Sequence, residues 1–214
     1  MSQYSKAENL YTESIKTYKA AFGENHLNYA ISQANLAVLY QNMGRYHEAK
    51  VLYLESIKIY KTQLGENNTS YALYLNNLAT LYMDMGQYHN AEELFLESKN
   101  ICKTQLGENN SFYGTFLNNL ALHYETVGRY FEAKELYLKS GKIFKNLLGE
   151  NHPRYAIYLN NMARLYTKKG YYTEAEELFL GSKNIRKTQL GENHPDHAGS
   201  LNNMAKLYQN MGRY

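Results

Sequence analysis

The sequence predicts an all-α solenoid of antiparallel helix pairs with about ten helices, and three observations predict it. Glycine recurs every 42 residues, at Gly44, Gly86, Gly128, Gly170 and Gly212 and again at Gly23, Gly65, Gly107, Gly149 and Gly191. The run Lys61-Thr-Gln-Leu-Gly-Glu-Asn67 returns unchanged at 103–109 and 187–193. Between the glycines the apolar residues follow a helical period, and the chain holds only two prolines, as suits one helical almost throughout.

The opening segment reads as a lone helix B over Tyr4–Phe22. Each following unit pairs a helix A with a helix B. In the clearest copy helix A spans about Ser70–Asp84, and Leu75, Leu78, Ala79 and Tyr82 fall within about 100° of one another, the width of a core-facing stripe. Gly86 interrupts the chain, and helix B follows over about His89–Leu106 with Ala91, Leu94, Phe95, Ser98 and Ile101 on one side. Lys103 sits in its last turn, favourable for the negative end of the helix dipole, and Gly107 is expected as a left-handed C′ residue. Pro153 and Pro195 suit the first turn of a helix A. The chain closes with a helix A ending near Asn210. Two amphipathic helices cannot bury their apolar faces alone, so each pair needs its neighbours. The expected organisation is one repeat domain over 1–214: a helix B over 1–23, A/B units over 24–65, 66–107, 108–149 and 150–191, and a final helix A over 192–214.

Composition narrows the function. A net charge of +3 is too small to indicate nucleic acid, although the balance is −1 over residues 1–107 and +4 over 108–214. The single Cys102 excludes an intrachain disulfide, as in a reducing cytosol. The N-terminus has acidic residues and no unbroken apolar core, so it is not a signal peptide, and no run is long enough to span a membrane. These features point to a cytoplasmic protein, in which the Asn-Asn-Thr and Asn-Asn-Ser turns at 67–69 and 109–111 remain unglycosylated.

The pattern Leu75-x-x-Leu78-Ala79-x-x-Tyr82-x-x-x-Gly86-x-Tyr88-x-x-Ala91-x-x-x-Phe95-x-x-Ser98 resembles the tetratricopeptide repeat. It departs in two ways: serine stands where alanine is usual late in helix B, and the period is 42 rather than 34. With its L-N-N-L-A, G-x-Y-x-x-A and L-G-x-x-H-P elements, the extended form resembles the repeats of kinesin light chains. The resemblance implies a right-handed superhelix and a non-catalytic scaffold that takes a peptide or partner segment in a groove lined by the A helices. It also implies that the asparagines of L-N-N-L-A bond to peptide backbone. That role would fall on Asn76, Asn77, Asn118, Asn119, Asn160, Asn161, Asn202 and Asn203; the first copy reads Gln33-Ala34-Asn35, so its pair is broken.

Helical geometry places neither asparagine in the core stripe, and two readings stand. The first asparagine is expected to face the groove for recognition, whereas the second, present in all five copies, is expected to bond the adjacent helix A and fix the stacking. Selectivity should lie in columns that vary. One reads Val38, Thr80, Leu122, Arg164, Lys206; another Gln41, Met83, Glu125, Thr167, Gln209; a third Asn42, Asp84, Thr126, Lys168, Asn210. Arg164, Lys168 and Lys206 thus gather on the later A helices and suggest a ligand with acidic or carboxylate groups. The alternative is an ordinary basic surface.

Catalytic chemistry finds little support. His194 and His197 have a metal-like spacing, but His194 shares its column with His26 and His152, and no third ligand is evident. Cys102 shares a column with Tyr60, Phe144 and Arg186 and has no base nearby, and no phosphate-binding glycine loop occurs. No cofactor or metal is expected. RNA could stack on tyrosines, but the low charge weighs against it. The first and last segments resemble internal elements rather than caps, with Met1-Ser2-Gln3-Tyr4 continuing the register left at Gly212-Arg213-Tyr214. The chain therefore reads as a piece of a longer array, and as one able to stack head to tail on a second copy. A self-assembling structural role is the alternative to a peptide-binding one.

Overall fold

The computed structural model describes residues 3–212; the register match of Met1, Ser2, Arg213 and Tyr214 lies outside the described residues. Ten helices and no strand occur among the described residues: α1 (Gln3–Phe22), α2 (Leu27–Asn42), α3 (Tyr46–Leu64), α4 (Thr69–Asp84), α5 (Tyr88–Leu106), α6 (Ser111–Thr126), α7 (Tyr130–Leu148), α8 (Pro153–Lys169), α9 (Tyr172–Leu190) and α10 (Pro195–Asn210). The even-numbered helices are the A helices, and the boundaries match the periodicity within a residue or two. The chain divides into two compact units, Met1–Gly107 and Glu108–Tyr214.

In each unit the strongest packing joins a helix A to the helix B that follows it: α2 with α3 and α4 with α5 in the first, α6 with α7 and α8 with α9 in the second. One alanine of each of these B helices, Ala49, Ala91, Ala133 and Ala175, is completely buried. Its small side chain lets the helices approach closely. Two turns further along, a buried serine closes the contact by hydrogen bonding across the pair. Ser56 Oγ donates to the Ala30 carbonyl at 2.9 Å, Ser140 to Gly114 at 2.7 Å and Ser182 to Ala156 at 2.8 Å. This explains serine in place of the usual alanine: the hydroxyl supplies a bond between helices that alanine cannot. Beyond the pair, α8, α9 and α10 share a core of Ala163, Ala175, Phe179, Met204 and Leu207.

The two glycine series do different jobs. After α4, the Gly86 amide donates to the Met83 carbonyl and the Gln87 amide to the Tyr82 carbonyl, which is the Schellman pattern with Gly86 at C′. Gly107 departs from the left-handed C′ role expected of it. It sits at the C-cap of α5 with φ 77° and ψ 173°, an extended positive-φ conformation open essentially to glycine alone. The chain must leave helix B extended there to reach the next N-cap. At that next N-cap a side chain accepts from the amide two residues on: His26, His152 and His194 through Nδ1 at 3.1 Å, and Asn68 and Asn110 through Oδ1 at 2.8 Å.

Both the extended glycine and the serine bond can be tested by unfolding. A Cβ at Gly107 would meet nothing within 4 Å, so Gly107→Ala isolates backbone strain and is expected to cost about 1–3 kcal/mol in urea unfolding. Ser140→Ala should cost about 1–2 kcal/mol, because it leaves the buried Gly114 carbonyl without the hydroxyl, whereas Ser140→Thr should recover part of that only if the added methyl fits.

Candidate functional site

The asparagine pairs form a ladder between successive A helices. Asn161 Nδ2 donates to Asn118 Oδ1 at 3.1 Å, and Asn203 Nδ2 donates to Asn160 Oδ1 at 2.8 Å. In these two rungs the second asparagine bonds the first asparagine of the repeat before, through a side chain 43 positions earlier. The residue 43 positions before Asn77 is Ala34, which has no amide side chain to accept such a bond. Asn76 donates instead to Ser98 Oγ at 3.4 Å within its own helix pair.

Asn161 and Asn203 thus bond an adjacent helix A, and Asn118 and Asn160 are their acceptors. Asn76, Asn118 and Asn160 are only 2%, 6% and 7% exposed, so they lie inside the stack rather than on an open groove. Asn161 is buried as well; Asn77, Asn119 and Asn203 are half-buried, and Asn202 is exposed. The reason lies in helix spacing. A side chain flanking the core stripe still falls in the seam between adjacent A helices, and an amide placed there must find a partner.

Two of the three basic residues in the variable columns of the second unit, Arg164 and Lys168, are also partnered. Glu125 of α6, only 1% exposed, receives Arg164 Nε at 3.0 Å and Arg164 Nη2 at 2.8 Å, a two-pronged contact. Lys168 Nζ lies 3.0 Å from the same carboxylate, and Tyr137 Oη donates to it at 2.9 Å. Burial alone would raise the Glu125 pKa. The hydrogen bonds and charges of Arg164 and Lys168 outweigh burial and hold the carboxyl below its ordinary range. Burial, with Glu125 beside it, pushes the Tyr137 hydroxyl up, so it remains a donor. Arg164 is half-buried, and Lys168 and Lys206 are exposed. The two lysines and Arg164 come from adjacent A helices, but only Arg164 and Lys168 meet at Glu125.

The column that holds Glu125 carries a second pattern, one that periodicity along a single helix does not reveal. The residue 12 positions later is tyrosine where this column is Gln41 or Glu125, and phenylalanine where it is Met83 or Thr167: Tyr53, Tyr137, Phe95 and Phe179 respectively. Tyr53 Oη reaches Gln41 Oε1 at 3.4 Å, as Tyr137 reaches Glu125. A tyrosine hydroxyl is present where the helix A side chain carries a long carboxamide or carboxylate, and is absent where that side chain is methionine or threonine. This pairing is readable from the repeats, and it marks Glu125 as a buried acceptor rather than a groove-lining charge.

The residues considered for chemistry have structural employment. His194 Nδ1 is the N-cap acceptor of α10, and His197 is buried. Among the described residues no group of three potential ligands could hold a metal ion. Cys102 is buried, which pushes its thiol up to about 11 and keeps it protonated. No described helix is long and apolar enough to cross a membrane.

A family model described as tetratricopeptide repeat matches residues 1–62, 70–126, 112–180 and 159–214. The chain belongs to the tetratricopeptide repeat family. A search of curated proteins finds no match. Among solved structures, BtubC (BKLC) of P. vanneervenii superposes with a TM-score of 0.78 at 21% identity, covering 100% of this chain and 86% of that one, a likeness of fold. A Podosopora anserina protein described as a kinesin light chain with nearly identical TPR-like repeats gives a TM-score of 0.69 at 28% identity, covering 88% and 89% of the two chains. A second structure of that protein, carrying a single substitution, gives 0.68 at 29% identity over 85% and 86%. The extended repeat is therefore of the kinesin light chain-like kind that its motifs suggested.

Acid titration tests the Glu125 network. Because its folded pKa is depressed, the carboxylate contributes stability that is complete above the ordinary carboxylate pKa of about 4.3 and is lost as pH falls through the lower folded value. Glu125→Gln should flatten the acid limb of a stability–pH curve below about pH 4.3. Arg164→Ala should cost about 3 kcal/mol at neutral pH, near the low end for a broken buried pair because Arg164 is only partly buried.

Proposed function

We propose that this chain, acting over 1–214 as a single repeat domain, is a protein-interaction scaffold that binds an acidic or carboxylate-bearing segment of a partner along the A helices of residues 108–214. Tetratricopeptide repeat proteins typically serve as interaction scaffolds and bind protein partners. The observation that carries the finer reading is charge imbalance. Arg164, Lys168 and Lys206 occupy the variable columns of α8 and α10, and over 108–214 Glu125 is the one acidic residue in those columns. One carboxylate cannot neutralise three cations, and the two lysines are exposed to a ligand. The half-buried Asn119 and Asn203 would bond ligand backbone, since a carboxamide offers two donors and a two-lone-pair acceptor and so can hold a rung and a peptide together. Buried Asn118, Asn160 and Asn161 support that surface from beneath, Asn202 extends it, and Asn76 and Asn77 hold the equivalent positions within the first unit. The reading is of a non-catalytic, cytoplasmic protein without cofactor; a single buried, protonated thiol agrees with a reducing compartment.

Arg164 and Glu125 hold the fold together, so the informative changes are at the lysines. Fluorescent acidic peptides should bind and their amidated, neutral counterparts should not. Lys168→Gln combined with Lys206→Glu should weaken acidic-peptide binding by about tenfold or more, from ~1.5 kcal/mol for a charge-assisted contact. Added salt should reduce the difference. Equal binding by the folded variant and the parent would defeat the acidic-ligand reading.

A further inference from the structure

One column of the A helices reads Gln33, Leu75, Leu117, Leu159, Leu201. Leucine suits the position, for Leu75 and Leu117 are both buried there. Gln33 is only 2% exposed in the same place, so α2 buries a carboxamide where its counterparts bury a hydrocarbon. Its Nε2 donates to Tyr29 Oη at 3.2 Å and to Glu55 Oε2 on α3. Its Oε1 finds no hydrogen-bond partner among the described residues. A buried acceptor left unsatisfied costs stability, so what this amide holds in place calls for a reason.

Both residues that it holds line one hollow. The hollow, of about 270 Å³, lies among the turn residues Glu24 and Asn25, Tyr29 of α2, and Glu55, Lys58 and Ile59 of α3. In the α4–α5 pair, where leucine stands at 75, Tyr71 Oη donates directly to Glu97 at 3.4 Å. In α2–α3 the Gln33 amide comes between tyrosine and glutamate, which leaves the Tyr29 hydroxyl proton and Glu55 Oε1 unused. Glu24 pairs with Lys19. Glu55 and Lys58, one turn apart on α3, make no ion pair with each other or with any described residue. The hollow therefore presents one unpaired carboxylate and one unpaired ammonium.

We propose that this hollow binds a free α-amino acid, its ammonium on Glu55 and its carboxylate on Lys58 and the Tyr29 hydroxyl. Side chains three apart on a helix start about 5–6 Å from each other, a span that the two ends of one amino acid can meet. A zwitterion satisfies both charges through charge-assisted hydrogen bonds. A simple cation would meet Lys58, and a simple anion Glu55, with like sign. Ile59 gives the hollow an apolar wall for the ligand's side chain. Gln33 is a positioning residue, holding Glu55 and Tyr29 from behind. The set belongs to α2–α3 alone: α5 has Glu97 with Asn100, α7 Lys139 with Lys142, and α9 Gly181 with Asn184. It shares no residue with the acidic-peptide surface.

Ligand-observed NMR on the full chain, with each common L-amino acid in turn at millimolar concentration, tests the site. At least one should bind. Its amide, which keeps only the ammonium, and its N-acetyl derivative, which keeps only the carboxylate, should each bind about tenfold more weakly or worse. Glu55→Gln and Lys58→Gln change exposed side chains, so urea unfolding should be unaltered while amino-acid binding weakens about tenfold. Gln33→Leu restores the leucine of its column. It should raise the urea midpoint yet weaken binding about threefold or more, a combination that a purely structural glutamine would not give. The inference is overturned if no amino acid binds, or if either half-charged derivative binds as well as its parent. Unchanged binding by any of the three folded variants overturns it too.

Discussion

Everything in this chain depends on the close approach of each helix A to its helix B. An alanine column buried to nothing brings the two backbones together, and the serine column fastens three of the pairs through a bond from side chain to carbonyl and the α4–α5 pair through a bond from Asn76. A pair of this kind has an apolar stripe on both outer sides, so it is stable only when stacked. The requirements for asparagine rungs, buried tyrosines and paired charges all follow from what lies in the seams when pairs stack. The loops need only deliver each helix in register, which fixed glycines and side-chain caps accomplish.

Much of this was legible in the sequence because repetition gave five readings of the same physics. Helix number, helix limits, N1 prolines and the core columns came from spacing alone. What escaped depended on contacts between residues about 40 positions apart. The first asparagine lies near 100° from the core stripe, which on an isolated helix means half-exposed. In the stack that angle points into the neighbouring helix A, and Asn118 and Asn160 become acceptors for Asn161 and Asn203. Arg164 and Lys168 were visible as a basic cluster, but their shared counter-ion sits in a different repeat, on α6. A single helical wheel shows neither effect; comparing columns 39 and 43 positions apart shows both.

The same distinction separates scaffold from recognition. Columns that are uniform across the repeats serve the stack, and a side chain there is occupied by its neighbour. Columns that vary carry the individuality of each repeat, yet Glu125 shows that a varying position can also be structural. In these columns of the second unit positive charge exceeds negative: Lys206 is exposed, and Lys168, although 3.0 Å from Glu125, is also reached by solvent.

Glu125 also bears on how such arrays can change length. Its carboxylate belongs to one repeat and its arginine to the next, so the unit at 108–149 is tied to the unit at 150–191 as its successor. Excising the latter by recombination would bring Lys206, rather than an arginine, into the position of Arg164, and would replace Lys168 by Asn210. A buried anion would then depend on one flexible amine for its neutralisation. Repeats that look like copies are therefore not interchangeable: their order is written in charge, and duplication or loss is tolerated most readily at junctions where no buried ion pair crosses from one unit to the next.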